Sequence, residues 1–363
     1  MSRHLKLRDN MDWGLIATVF FILVMGLLCL FSSTRVSGSD IFIKQLIWIC
    51  CGWLLMFIVF AIDYRVLMRL AWLVYLVMVI MLVLLLLTGR EISGARRWIS
   101  MGPVGMQPSE VAKLTVIIWT AYWGAHHKDI EPYGLRGLVR PLVVLLVPVL
   151  LVFLEPDLGT AGIIMIIAVS MLLVLGIKRS TLIGASLTVA AVIPFGWMSL
   201  KEYQRLRILS FLDPSRDPLG SGYHAIQSKI AVGSGGLMGK GAFQGTQTQL
   251  RFLPEHHTDF IFSVVAEEWG FLGSSVLIFL YLLLITRIIS IGLNAKDRFG
   301  AMLCFGIAIY FILHVFINIA MAIGIFPVVG VPLPFVSYGG SFMMMNMACI
   351  GVVLSVSRRR FIF

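Results

Sequence analysis

The feature that most constrains this chain is a series of apolar runs, each long enough to cross a bilayer. A spanning helix needs roughly 20 predominantly apolar residues, because the hydrocarbon core is about 30 Å thick and a helix rises about 1.5 Å per residue. Ten runs qualify: 13–33, 41–62, 66–88, 110–125, 138–155, 159–177, 181–200, 259–286, 300–325 and 336–356. Residues are 59% hydrophobic and only 13% charged, against about 25% charged in soluble domains. The chain therefore reads as an all-α polytopic membrane protein, one integral membrane domain over 1–363. The net charge of +11 does not point to nucleic acid, because the basic residues lie between the apolar runs and not in one patch. Cys29, Cys50, Cys51, Cys304 and Cys349 all fall inside apolar runs without metal-type spacing, and read as small buried hydrophobes. Arg3, Lys6 and Arg8 precede an apolar run too long for a signal-peptide core, so that run is expected to stay as the first span.

An even number of spans puts both termini on one side. Sixteen Lys and Arg residues fall in the segments on that side, from Arg3 to Arg360, and six in short segments on the other. Seven more lie in the single long segment 201–258. Cytoplasmic loops carry the excess of basic residues, and long loops translocate largely regardless of charge. Both termini are thus expected to be cytoplasmic, with one long extracytoplasmic loop between spans 7 and 8.

Polar and irregular features gather on the outer side. "GREISGARRWISMGPVGMQPSEVAK" (89–113) carries Arg96, Arg97 and Trp98, which suit an interfacial anchor, the arginines being suited to phosphate as well. Within it Ser109 is a good N-cap, and Glu110 and Lys113 stand at i,i+3 and can pair on one helix face. "EPDLGT" (155–160) puts Glu155 and Asp157 at a helix junction. "GIFPVVGVPLPFVSYGGS" (324–341) cannot be an unbroken helix. Irregular backbone at membrane depth is tolerated only when buried in protein or lining a cavity. "VGSGGLMGKGAFQGT" (232–246), with Lys240, lacks the Walker spacing and reads as a flexible loop that approaches a ligand.

The stretch "RFLPEHHTDFIFSVVAEEWG" (251–270) passes from polar to apolar at Asp259. Thr258 suits an N-cap, so Asp259 is expected in the first helical turn, where the dipole stabilises an acid by roughly 0.3–1 kcal/mol. That explanation needs no chemistry, and it weakens the residue as a base. Glu267 and Glu268 are expected about two turns deeper, either as functional carboxylates or as a pair satisfied by a neighbouring Lys or Arg. His256 and His257, with His224 and Asp259, do not have the spacing of a zinc signature.

Together "GARRWI", "QPSEVAK", "EPDLGT", "GSGGLMGKG", "FLPEHHTDFIFSVVAEEWG" and "PLPFVSYGGS" resemble, in order and over nearly the whole chain, the SEDS family of bacterial envelope proteins (shape, elongation, division and sporulation). "PVVGVPLPFVSYGG" is most similar to its rod-shape-determining elongation branch. The resemblance implies a ten-span fold in the bacterial cytoplasmic (inner) membrane. It implies a peptidoglycan glycosyltransferase that polymerises lipid II, an undecaprenyl-pyrophosphate-linked disaccharide-peptide, in cell-wall elongation and rod-shape maintenance. It also implies partnership with a class B penicillin-binding protein, a transpeptidase, and with other elongation-complex proteins, amid membrane lipids. A divalent cation, Mg or Mn, is suggested, without a ligand set. Carried over residue by residue, the family motifs make Asp259 the catalytic residue, and Glu110, Lys113 and Asp157 polar positions near the cavity. The chemistry asks for a base near a sugar hydroxyl and cations near a departing pyrophosphate. Asp259 fits the first role, and Arg97, Lys113 and Lys240 the second. Two other readings stand beside this one. A flippase for the same lipid would use Glu267, Glu268, His314 and Asn318 as its path. A non-catalytic scaffold would need none of these carboxylates.

Overall fold

The computed structural model describes residues 11–34, 40–92, 95–101, 104–127, 132–200, 202–217, 220–249 and 257–359. In chain order its elements are α1 (Trp13–Thr34), α2 (Asp40–Ala61), the short α3 (Tyr64–Arg69), α4 (Ala71–Thr88), β1 (Arg90–Ile92), β2 (Ala95–Met101), β3 (Val104–Met106), α5 (Pro108–His126), α6 (Leu135–Leu154), α7 (Leu158–Leu175) and α8 (Arg179–Ser199). There follow α9 (Glu202–Leu212), α10 (Ser221–Ser234), α11 (Thr246–Gln249), α12 (Ile261–Leu293), α13 (Arg298–Ala322) and α14 (Gly340–Arg359).

Among the described residues nine helices are long and apolar enough to cross a membrane, so the chain is a multi-pass membrane protein. The tenth expected span is α5. It has the length, but it carries Glu110 and Lys113 and lies buried among α4, α7 and α13. A helix enclosed by protein needs no uniformly apolar surface. By contrast α2 and α4 show Leu54, Phe57, Leu73 and Leu87 outward, as lipid-facing helices do. α13 and α14 are buried along most of their length, and Gly306 lets α13 approach Ile117 of α5 and Met171 of α7. Small residues at such crossings allow the close backbone packing that drives association in lipid. α8 stands apart, with none of its described residues buried.

Three departures from the sequence reading follow from local chemistry. First, the all-α expectation misses a small antiparallel sheet, β1-β2-β3, in the segment between α4 and α5. Ile99 pairs with Met106 and Met101 with Val104. A Cβ at Gly105 would lie 3.2 Å from the Trp98 ring, so the glycine leaves room for the indole to lie over β3. Second, the long segment 201–258 is not mere loop: α9, α10 and α11 occupy much of it. Third, the expected span 259–286 belongs to a 33-residue helix broken at Gly270, where φ is 64° and ψ −159°. Unbroken, it would be about 50 Å long, well beyond the hydrocarbon thickness. Only glycine takes that backbone conformation readily. Before the break, Ile261 to Glu268 are all buried; after it, Phe271, Leu272 and Val276 are exposed. Glu267 and Glu268 thus precede the lipid-facing part of the helix.

The Pro- and Gly-rich segment between α13 and α14 is irregular, as its sequence requires, and is enclosed by protein. Val331, Leu333, Phe335 and Val336 are buried. Its carbonyls find partners on surrounding helices: Tyr281 Oη donates to Pro334 O (2.5 Å) and Gln45 Nε2 to Ser337 O (3.3 Å). Buried backbone outside regular structure needs such partners.

Candidate functional site

A cavity of about 350 Å³ lies where α5, α7, α9, the turn before α12 and the irregular segment before α14 meet. Asp259, Glu110, Lys113 and Asp157 all line it, so three stretches far apart in sequence share one wall space.

Asp259 sits in the turn His257–Phe260, not in the first turn of the helix. Phe260, and not Thr258, is the N-cap of α12, which corrects the capping expectation. The carboxylate faces Gly330, whose φ is +75° and where a Cβ would stand 3.3 Å from Asp259 Oδ2. A side chain at 330 would be strained and would crowd the acid, so glycine keeps the approach to Asp259 open.

Glu110 and Lys113 form an ion pair of 2.8 Å, with side chains only 4% and 2% exposed. Lys113 Nζ also lies 2.9 Å from His314 Nε2, and 5.6 and 5.7 Å from the ring centres of Tyr310 and Phe342. An ammonium has only donors, so His314 Nε2 accepts; Nδ1, 2.8 Å from Tyr310 O, therefore carries the proton. The imidazole is neutral, and Lys113 is the charged member of the group. Glu110 Oε2 is buried and has no hydrogen-bond partner among the described residues.

Asp157 serves two ends. It is the N-cap of α7, accepting from Thr160 N (3.3 Å) and Thr160 Oγ1 (3.0 Å), and it lines the cavity at 4% exposure. Arg207 of α9 brings a second cation to the wall, and Tyr338 a phenol. Burial raises the Tyr338 phenol above its ordinary value of 10.0, so it stays protonated and able to donate.

Other expected residues stand elsewhere. Lys240 is not in the cavity: its Nζ bonds Glu267 Oε1 at 2.7 Å and Thr246 Oγ1 at 2.8 Å. Glu267 is fully buried, and it also accepts from Gln247 N (3.0 Å). Lys240 of the glycine-rich segment thus supplies it with a counter-charge. Backbone bonds Lys240 N to Glu267 O (3.0 Å) and Phe271 N to Gly236 O (2.9 Å) fix that segment to the break in α12, so it is docked and not a free loop. Glu268 accepts from Ser32 Oγ of α1. Arg97 is in β2, next to the cavity-lining Trp98, but the side chains of Arg96 and Arg97 lie outside the described residues, as do His256, Arg251 and Lys201. Among the described residues no group of three or more His, Cys, Asp or Glu is clustered for a metal ion. The sequence reading missed Arg207, Thr160 and Tyr338 as wall residues, and His314 as the partner of Lys113. The spacing of His314 and Asn318 at i,i+4 on one buried helix face was the one signal available for the last.

Comparison with known proteins agrees with this architecture. The family model for the cell cycle proteins FtsW, RodA and SpoVE matches residues 12–361. The chain is 42% identical over 354 residues to the peptidoglycan glycosyltransferase MrdB of Escherichia coli K12, covering 97% of this chain and 94% of that protein. Among solved structures it is similar to a chain of a peptidoglycan synthase complex described as coordinating polymerization and crosslinking, with TM-score 0.85, 33% identity and coverage of 97% and 99%. It is also similar to the crystal structure of the rod shape determining protein RodA of Thermus thermophilus, with TM-score 0.73, 30% identity and coverage of 97% and 98%. A match along nearly the whole chain at these identities leaves one assignment: the protein is a member of the FtsW/RodA/SpoVE family of cell cycle proteins.

Proposed function

We propose that this protein is a peptidoglycan glycosyltransferase of the elongation branch, polymerising lipid II at the outer edge of the bacterial inner membrane with Asp259 as the reacting carboxylate. The observation that carries the proposal is the grouping of Asp259 with Lys113 and Arg207 around one polar cavity, opened at Gly330. A sugar hydroxyl attacks the anomeric carbon of a second lipid-linked sugar; the new O–C bond forms as the bond to the pyrophosphate oxygen breaks. Asp259 takes the hydroxyl proton, a step worth typically 10²–10⁴-fold. Arg207 and the Lys113 group lower the cost of charge developing on the leaving pyrophosphate. Lys113 is buried and tied to Glu110 and His314, so its contribution is a fixed field more than a mobile contact. At about 350 Å³ the cavity suits the reacting ends alone, leaving the polyprenyl chain in lipid.

Both termini lie in the cytoplasm on this reading, and a class B penicillin-binding protein crosslinks the product. The similar synthase complex that couples polymerization to crosslinking supports such a partner. A divalent cation, Mg or Mn, would be held by Asp259 or Asp157 together with substrate phosphates, because magnesium commonly binds through one or two carboxylates and phosphate oxygens. Such a site needs no pre-built cluster of three protein ligands. A transporter path is disfavoured, because Glu267, Glu268 and Asn318 are engaged in holding neighbouring elements together.

Purified protein with its transpeptidase partner, given lipid II in detergent, is expected to yield glycan polymer. Lipid II translocation in vesicles without any polymer in detergent would favour the transporter reading and overturn this one.

A further inference from the structure

We infer that Asn318 is a positioning residue, which fixes Asp259 through its backbone and registers the opposite cavity wall against it. Three consecutive carbonyls, of His257, Thr258 and Asp259, lie in the turn just ahead of α12. Each is taken by a donor from α13 or the irregular segment that follows it. Tyr338 N donates to His257 O (2.9 Å), Ser337 Oγ to Thr258 O (2.6 Å) and Asn318 Nδ2 to Asp259 O (2.8 Å). Three successive bonds leave the Asp259 backbone almost no freedom, so only two side-chain torsions remain to aim the carboxylate.

Asn318 does more than close one of these bonds. Its Nδ2 also donates to Val331 O at 2.7 Å. Val331 follows Gly330, the residue that faces the Asp259 carboxylate, and both line the cavity. One amide nitrogen thus ties together the turn that carries the acid and the segment that keeps its approach open. The side chain is fully buried, and its Oδ1 has no hydrogen-bond partner among the described residues. The two carbonyls demand donors, which fixes the orientation of the amide with Nδ2 toward them. No aliphatic residue and no carboxylate of the same size can supply both bonds. Ser337 adds a relay of the same kind, because its hydroxyl accepts from Leu333 N (2.8 Å) while donating to Thr258 O.

The inference rests on Asp259 being the reacting carboxylate, and the test separates the two. Wild type, Asn318→Leu, Ser337→Ala and Asp259→Asn are purified with the partner, checked for folding by thermal unfolding and size exclusion, and assayed for kcat and KM on lipid II. A displacement of about 1 Å at a reacting group costs up to roughly 100-fold in rate. Asn318→Leu is expected to lower kcat by about 10–100-fold with KM within about twofold, and Ser337→Ala to lower it by about 3–10-fold in the same way. A merely structural role would spread its effect over KM and folded yield instead. A folded Asn318→Leu with kcat within threefold of wild type, while Asp259→Asn is inactive, overturns the inference alone. Normal polymerisation by folded Asp259→Asn overturns the reading of the site on which it rests. If Asn318→Leu does not fold, Ser337→Ala decides by the same kcat criterion; failure of both to fold assigns the bonds to stability and overturns the positioning role.

Discussion

Replacing Lys113 by Met removes a charge from beside Glu110 while keeping nearly the same volume. The consequence is set by burial. Glu110 is 4% exposed, its Oε1 is bonded to Lys113 at 2.8 Å, and its Oε2 has no hydrogen-bond partner among the described residues. Loss of the ammonium leaves a buried carboxylate without a counter-ion, which costs about 3–5 kcal/mol. That is a fall of roughly two to three and a half decades in the folded population ratio, since each 1.4 kcal/mol is tenfold. The reverse change, Glu110→Gln, is milder. Lys113 keeps His314 Nε2 as acceptor and the faces of Tyr310 and Phe342 around its Nζ, and the cost is about 1–3 kcal/mol. The double variant removes both charges and is expected to be more stable than Lys113→Met alone, because a neutral pair leaves no stranded ion. Reversible denaturant unfolding in detergent, completed as a double-mutant cycle, measures the coupling. A Lys113→Met protein within about 1 kcal/mol of wild type, or a cycle with no coupling, would refute the argument that this pair is desolvated and mutually dependent.

Further outcomes follow from other contacts. Gly270→Ala should lose about 1–3 kcal/mol, read as a lower unfolding midpoint, because alanine must adopt the glycine-only backbone at the break in α12. Gly162→Ala on α7, with nothing within 4 Å of the added Cβ, should be neutral or gain up to about 1 kcal/mol. At the far end of the bundle, Tyr64 Oη donates to Asp297 Oδ2 at 2.7 Å, and burial and this bond raise its phenol above the ordinary 10.0. A raised folded-state value contributes stability that is present below about pH 10 and lost as pH climbs through the folded value. Unfolding midpoints of wild type should therefore fall in that alkaline range, and those of Tyr64→Phe should fall less. Lys240→Met should destabilise the protein by removing a counter-charge from fully buried Glu267, and Lys240→Met/Glu267→Gln should recover much of the loss, as unfolding curves will show.

How far the sequence discloses this molecule depends on the range over which each feature is encoded. Span positions follow from local composition, so runs such as 41–62 and 300–325 agree closely with α2 and α13. The irregular character of 324–339 is equally local, since its prolines and glycines forbid a helix. The Glu110–Lys113 pair was legible because i,i+3 spacing is geometry within one helix. The break at Gly270 was not, because one glycine in an apolar run gives no sign of the backbone it will adopt. Nor could spacing show that Lys240 serves Glu267 and not the cavity; that depends on how the glycine-rich segment docks on α12. The placement of Asp259 depends on packing in the same way. The residue lies in a turn held by α13 and the segment after it, and not in the first helical turn. Arg207 came to the wall only through the packing of α9, on which its sequence neighbours are silent.

The central claim is that the carboxylate of Asp259, in the cavity it shares with Lys113 and Arg207, carries out glycan polymerisation. The most direct measurement is gel-resolved polymer formed from lipid II by Asp259→Asn and by wild type, both purified with the partner and shown to be folded. Wild type is expected to form polymer, and the variant to form it at a rate lower by at least about 10²-fold. Polymer at the wild-type rate from folded Asp259→Asn would contradict the claim.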